Sequence, residues 1–300
     1  MTESNTLTRR DFLRRSAGAT IISATGVSAL GQETEKPQEK PRAKVILVRD
    51  EHVLDAERKI NPDVIAKMLD DAMAALTGQQ EPIAGWKQLL QPEDTVGIKT
   101  NAWRYLRTPP ELEAAIKRRV MDVGIPEEKI DINDRQVLKR PGFKNATALI
   151  NVRPMRTHDW SGVGSLIKNY IMFHKSPWKW HKDACADLAG LWEMPIVKGK
   201  TRLNILVMLT PLFHGKGPHD YQKKYTWEYK GLLVGIDPVA VDATGVRILE
   251  AKRRDYFGKD EPFPVSPKHI RVADEKYHLG VADPDRIEIR KLGWTKDVLI

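Results

Sequence analysis

The chain has 300 residues, 49 Lys and Arg against 40 Asp and Glu, a formal net charge of +9 and 41% hydrophobic residues, enough to bury one large core or two modest ones. Its single cysteine, Cys185, excludes an intramolecular disulfide and a cysteine-held iron–sulfur cluster or structural zinc. The basic balance suits anionic small molecules, phosphates or anionic envelope surfaces. No basic stripe is interleaved with aromatics, so no nucleic-acid partner is expected.

The chain begins with the layout of a twin-arginine export signal. Thr8-Arg9-Arg10-Asp11-Phe12-Leu13-Arg14 precedes a weakly apolar run, Ala17 to Leu30, that ends in the small residues Val27-Ser28-Ala29. An amphipathic basic helix is the competing reading, but Gly18, Gly26 and the Ser/Thr content suit a helix poorly. Residues 1–29 therefore read as a signal peptide, with the twin-arginine export machinery as partner and a periplasmic or otherwise extracytoplasmic destination. Residues 30–43 are polar and Pro-containing and read as a disordered linker. No later stretch has the apolar length of a transmembrane span.

Residues 44–300 read as a single α/β domain. Lys44 to Val48 is an apolar strand, and Pro62 to Leu76 a helix with Val64, Met68, Leu69, Ala72 and Leu76 on one stripe. Thr95 to Lys99 is a second strand. A helix opens at Thr108-Pro109-Pro110 and runs to about Val123. Ile130 to Asn133 and Ala148 to Val152 are further strands. Helices are expected at 162–174 and 181–192, a strand at 203–209, a Gly/His-rich loop at 213–220, a strand at 231–235, a helix at 238–251 and a last strand near 286–292. Alternating strands and helices predict a mostly parallel twisted sheet with helices on both faces and an irregular second half. Ligands of such sheets bind at the carboxyl ends of the strands, which here carry Lys99-Thr100-Asn101, Asn133-Asp134-Arg135 and Arg153.

Three stretches hold chemically capable residues. In the first, His158 precedes a segment whose Val163, Leu166, Ile167, Tyr170 and Phe173 form an apolar stripe, with Ser165, Lys168 and Asn169 opposite. That polar face is either solvated or set over a cleft, where an ammonium, an amide and helix N–H groups suit an anion. In the second, Asp237 before Pro238 is a helix cap. Asp242 falls inside the apolar stripe of Val239, Ala243, Val246 and Leu249. A carboxylate on that stripe anchors a structural network or points into a site. In the third, His214-Gly215-Lys216-Gly217 makes a loop whose backbone N–H groups and ammonium could meet an anion, without the Ser or Thr of a phosphate-binding loop. His174, His181 and Cys185 lie close together but match no strong metal pattern. Ser165-x-x-Lys168 echoes the serine acyl-transfer enzymes, but Ser-Asx-Asn and Lys-Thr-Gly are absent downstream.

On these residues the sequence resembles the family called domain of unknown function 362. The resemblance rests on Lys99-Thr100-Asn101, on Arg156-Thr157-His158 through Gly162-Val163 to Lys168-Asn169, and on Gly235-Ile236-Asp237-Pro238-Val239-Ala240-Val241-Asp242. It spans about residues 44 to 292. Arg156 stands where the family usually has Lys. Between 205 and 220 the chain lacks the family's Asp-containing, Gly-Pro-rich segment. Some relatives carry ferredoxin-like cysteine motifs, which a single Cys185 cannot supply.

The reading is an exported protein whose three stretches meet at one anion- or cofactor-binding cleft. Lys99, Asn101, Lys168, Asn169, His214, Lys216 and Asp237 would bind the ligand. His158 would transfer a proton, since its ordinary pKa lies nearest neutrality, and Asp242 would orient His158 or Lys168 or help hold a divalent metal. A redox or metal-assisted enzyme acting on a small anionic substrate stands against a non-catalytic periplasmic binding or accessory protein for a small anion or cofactor.

Overall fold

The computed structural model describes residues 42–300. The export signal, its cleavage site and nearly all of the linker, residues 1–41, lie outside the described residues. Eight strands form one sheet among them: β1 (Ala43–Arg49), β2 (Val96–Lys99), β3 (Ile130–Asn133), β4 (Ala148–His158), β5 (Gly162–Gly164), β6 (Thr201–Leu212), β7 (Gly231–Gly235) and β8 (Ile287–Gly293). The order is β3-β2-β4-β6-β7-β1-β8, with β5 paired to β4. Strands β3, β2, β4 and β6 run parallel, β7 lies antiparallel to both β6 and β1, and β8 is parallel to β1.

The strand sequences dictate layers on both faces. Successive side chains of a strand point to opposite sides. In β1, Val45 and Leu47 enter one core while Ile46 and Val48 enter the other. A strand apolar on both sides must be covered on both. The helices Pro62–Thr77, Pro82–Leu89 and Pro110–Asp122 cover one face, through residues such as Met68, Trp86 and Ile116. The helix Pro238–Phe257 and the segment 163–192 cover the other. Caps fix the ends locally: Asn61 accepts the Asp63 and Val64 N–H groups, and Gly78 (φ 73°) ends that helix in the left-handed region. This is the α/β fold with a mostly parallel sheet that the sequence predicts.

The differences lie in the middle of the chain. β4 runs on to His158 instead of stopping at Val152, and Gly162 (φ 71°) turns it into a hairpin with β5. The helix expected over 162–174 is therefore a strand, one helical turn at Leu166–Asn169 and a tighter turn at Tyr170–Phe173. The helix expected over 181–192 is a 3₁₀ segment, Asp183–Glu193, broken by Asp183, Ala184 and Cys185, all at positive φ. The apolar stripe Val163, Leu166, Ile167, Tyr170 and Phe173 is buried as expected, because burial follows apolar spacing whether or not the backbone stays helical. The helix at Pro238 continues to Phe257, and the helices Pro82–Leu89 and His269–Glu275 had no expectation attached. No helix among the described residues is long and apolar enough to cross a membrane.

Candidate functional site

Strand β2 ends at Lys99, opposite Asn151 of β4, whereas β4 continues to His158 beyond the end of its neighbour. The carboxyl ends of β2, β3 and β4 thus enclose a buried polar cluster: Lys99, Asn101, Asp134, Asn151, Arg153, Arg156, His158, Lys168, Asn169 and Asp242 are all buried. A register shift between Pro154 and Arg156 interrupts the strict alternation of β4 just where its two arginines stand.

An amide ladder braces this end of the sheet. Lys99 Nζ donates to Thr100 O (2.7 Å), Asp134 Oδ1 (2.7 Å) and Asn169 Oδ1 (3.3 Å). Asn169 Nδ2 donates to Lys99 O, Asn151 Oδ1 and Val152 O. Asn151 Nδ2 continues to Leu166 O and Asn204 Oδ1, and Asn204 Nδ2 to Ile236 O. An ammonium has three hydrogens. All three of Lys99 are engaged, so Lys99 contributes charge and rigidity and has no donor left for a ligand. Burial pushes Lys99 down to about 8 in spite of Asp134 beside it. Asp134, despite its burial, is held below the usual carboxylate range by Lys99. At neutral pH the pair is an ammonium and a carboxylate.

Three other cations are less well matched. Arg153 and Arg156 are each 4% exposed and Lys168 is 3% exposed. The Nε atoms of both arginines are buried without a hydrogen-bond partner among the described residues. Arg156 Nη1 donates to Asn101 Oδ1 (2.9 Å), and its guanidinium lies 4.5 Å from the centre of the Trp103 ring. Lys168 Nζ meets the Cys185 thiol sulfur at 3.5 Å. Burial pushes Arg153 down to about 10 and Lys168 to about 8. Gly164 leaves room for Arg153, since a Cβ there would lie 2.9 Å from Arg153 Nη2.

His158 is a neutral imidazole. Burial, with Lys168, Arg153 and Arg156 nearby, holds it far below its ordinary range. Its Nδ1 accepts the Trp160 N–H (3.1 Å), which leaves the proton on Nε2. Removal from water and three cations oppose protonation of this imidazole, while the Asp159 carboxylate lies 3.3 Å from its Nδ1.

Asp242 faces no catalytic partner. Its carboxylate accepts Ser165 Oγ (2.6 Å), Leu166 N (2.9 Å) and Ile167 N (2.9 Å), fixing the Leu166–Asn169 turn to the Pro238–Phe257 helix. Burial raises its pKa to about 6. This is the structural-network alternative; Asp242 hydrogen-bonds neither His158 nor Lys168. Asp237 caps its helix by accepting the Val239 and Ala240 N–H groups, and its other oxygen accepts Val281 N (2.9 Å). His214 turns away toward Arg253 (3.1 Å) and packs on Tyr225 and Phe257. Lys216 is exposed. Their loop returns to the cluster through its backbone: Gly217 (φ 63°) packs so tightly that a Cβ would lie 2.2 Å from Thr157 O. It returns also through His219, whose ring centre is 6.2 Å from that of His158.

Of the expected binding residues, then, Lys99, Asn101, Lys168 and Asn169 come together with the expected catalytic residue His158, while His214, Lys216 and Asp237, and the other expected catalytic residue Asp242, serve loop, cap or clamp. Arg153, Arg156 and Asp134 complete the cluster. Their signal was present as charged residues at the ends of otherwise apolar strand segments. Among the described residues no three His, Cys, Asp or Glu side chains form a group that could hold a metal.

Comparison with known proteins gives one family: the family described as Domain of unknown function (DUF362) matches residues 96–247, the interval from β2 into the Pro238–Phe257 helix. No curated protein and no solved structure matches the chain.

Proposed function

The chain belongs to the domain of unknown function (DUF362) family, and from the cluster its matched segment builds we propose that the protein binds a small anion at the carboxyl ends of β2, β3 and β4. One observation carries this reading: Arg153, Arg156 and Lys168 are buried and none of them pairs with a carboxylate, since Asp134 is engaged by Lys99, Asp242 by Ser165 and two backbone N–H groups, and Asp159 lies against His158 (3.3 Å) and His219 (2.7 Å). A buried charge without a counter-charge is costly, and an anion arriving among these donors removes that cost. Arginine presents a planar fork matched to carboxylate and phosphate oxygens. In this reading Arg153, Arg156 and Lys168 contact the anion, the Nε2–H of His158 adds a neutral donor, and Lys99, Asn151 and Asn169 hold the frame. Binding ranks ahead of catalysis because burial and the cations Lys168, Arg153 and Arg156 hold His158 far below neutrality, where it takes up no proton.

Inorganic sulfate tests this, since its charge is constant across the useful pH range. Affinity should be highest below pH 8, where Lys168, depressed to about 8, is protonated. Above that it should fall by up to about tenfold per pH unit as the ammonium deprotonates. Calorimetric titration between pH 6.5 and 9.5 measures it, and a flat profile would remove Lys168 from the site.

The Thr8 to Leu13 sequence and the run to Ala29 support export of the folded protein by the twin-arginine route into the periplasm or its equivalent. Replacing Arg9 and Arg10 together by Lys should leave uncleaved protein in the cytoplasmic fraction. Wild-type export of that variant would refute the assignment.

A further inference from the structure

Residues 174–182 read His174-Lys175-Ser176-Pro177-Trp178-Lys179-Trp180-His181-Lys182, with three lysines and no acid. The 3₁₀ turn Pro177–His181 carries both indoles, and their surroundings differ. Trp180 packs on the core, so close to Gly190 that a Cβ there would lie 3.0 Å from its ring. Trp178 is 68% exposed, the most exposed large apolar side chain among the described residues, and joins no ring contact there. Single apolar side chains on a surface are ordinary. A bare indole set among unpaired lysines is a more particular combination.

Lys175, Lys179 and Lys182 are exposed, and none of their ammonium groups pairs with a carboxylate among the described residues. The acids around them are held by other groups. Asp183 binds Lys268. Asp187, which shares a cleft of about 300 Å³ with Lys179 and Lys182, binds Lys276 (2.6 Å) and the Tyr277 hydroxyl (2.8 Å). Glu193 pairs with Lys198 (2.7 Å). Trp160, 48% exposed, meets His181 of the segment edge-on at 4.6 Å, and Asp159 beside it is taken by His219 (2.7 Å). This face thus presents uncompensated positive charge together with indole surface in water.

Indole has an apolar body and one N–H donor, which suits the boundary between hydrocarbon and water. Lysine is drawn to the negative potential of anionic headgroups. We propose that residues 174–182 dock the protein on an anionic phospholipid surface, with Trp178 entering the headgroup layer and Lys175, Lys179 and Lys182 on the lipid phosphates. The contact is separate from the anion site and does not depend on it. A folded protein partner fits less well, since stable interfaces take about 20–30 residues a side and this segment has nine. Single-stranded nucleic acid stacks successive bases on several rings, whereas Trp178 has no ring neighbour.

Titration of the full chain with vesicles of pure phosphatidylglycerol or pure phosphatidylcholine, read by tryptophan emission, tests the docking. Residues 1–29 contain no tryptophan, so the emission does not report on the export segment. Phosphatidylglycerol vesicles should shift the wild-type emission to the blue, and added salt should reverse the shift. Phosphatidylcholine vesicles should bind at least about tenfold more weakly. Trp178→Ala should lose most of the blue shift. Replacing Lys175, Lys179 and Lys182 together by Gln should weaken binding about a hundredfold, about fivefold per lysine. Both variants change exposed side chains and should melt with the wild type. A shift that survives Trp178→Ala, equal binding of the two lipids, or wild-type affinity in the lysine variant would overturn the proposal. So would a dimer that Trp178→Ala dissociates, which would give this face to a second copy of the chain.

Discussion

Arg153→Met is expected to melt at a higher temperature than the wild type in anion-free buffer and to gain nothing from sulfate. The guanidinium is buried beside a second cation, Arg156, and its Nε has no partner among the described residues. Methionine keeps the apolar stem that packs below Gly164 and removes the charge. Replacing buried ionic groups by apolar ones of similar volume stabilises proteins by about 1–4 kcal/mol. For a chain of this size that is several degrees, at roughly 2–4 °C per kcal/mol. The same change removes a charged contact to the ligand, and truncating one partner of a buried charge pair costs about 2–5 kcal/mol, or a factor of thirty to several thousand in affinity. Lys168→Met should behave alike. Melting curves with and without sulfate separate the two effects. A variant that melts lower and still responds to sulfate would mean that Arg153 is there to hold the fold, and the site would have to be moved. Stability surrendered to keep unpaired cations buried is the expected signature of a binding site.

Asp242→Ala should go the other way and further. The carboxylate satisfies one hydroxyl and two backbone N–H groups in a place with no access to water. Removing it orphans three donors and leaves a void beneath the Leu166–Asn169 turn, the turn that carries Lys168 and Asn169. A loss of about 3–5 kcal/mol is expected, read as a shift of the urea midpoint at unchanged slope. Asp242→Asn keeps one acceptor oxygen and should lose less. The pH dependence has a definite sign. The folded-state pKa of about 6 lies above the ordinary 3.8, so the folded protein holds this proton more tightly than the unfolded chain does. The cost of ionising Asp242 is therefore absent below about pH 4, grows between pH 4 and 6, and is fully present above pH 6. Asp242→Asn should flatten that part of the stability profile. If Asp242→Ala folded as stably as the wild type, the clamp would be refuted, and a functional role for this acid would return.

The two substitutions separate what a buried charge can be for. Arg153 and Asp242 lie in one cluster, both out of water, and each influences the other's charge. Asp242 has a full set of donors and acts as a mechanical tie. Arg153 lacks a full set of acceptors, and that deficit points to something outside the chain. Burial alone would not have told them apart; the count of hydrogen-bond partners does.

Much of the fold was legible in residue order. Strand β1, the helix from Pro62, strand β2 and the helix from Pro110 stand within a residue or two of their expected positions, because period-two and period-3.6 apolar patterns are local properties. Asp237 before Pro238 announced its helix for the same reason. The hairpin after β4 was not legible: Gly162 to Phe173 has helical apolar spacing, but Gly162 turns the chain back and Asp242, far along the sequence, holds the following turn. The motifs around Lys99, His158 and Lys168 marked the site without assigning the roles. Sequence alone determined which groups are ionisable and which strand ends they follow, since both depend on neighbours in the chain. Only the tertiary structure decided that Lys99 has no hydrogen to spare, that Asp242 is a clamp and that His158 is buried among cations. Partner counts and desolvation depend on residues brought together from distant elements, and no local pattern encodes them.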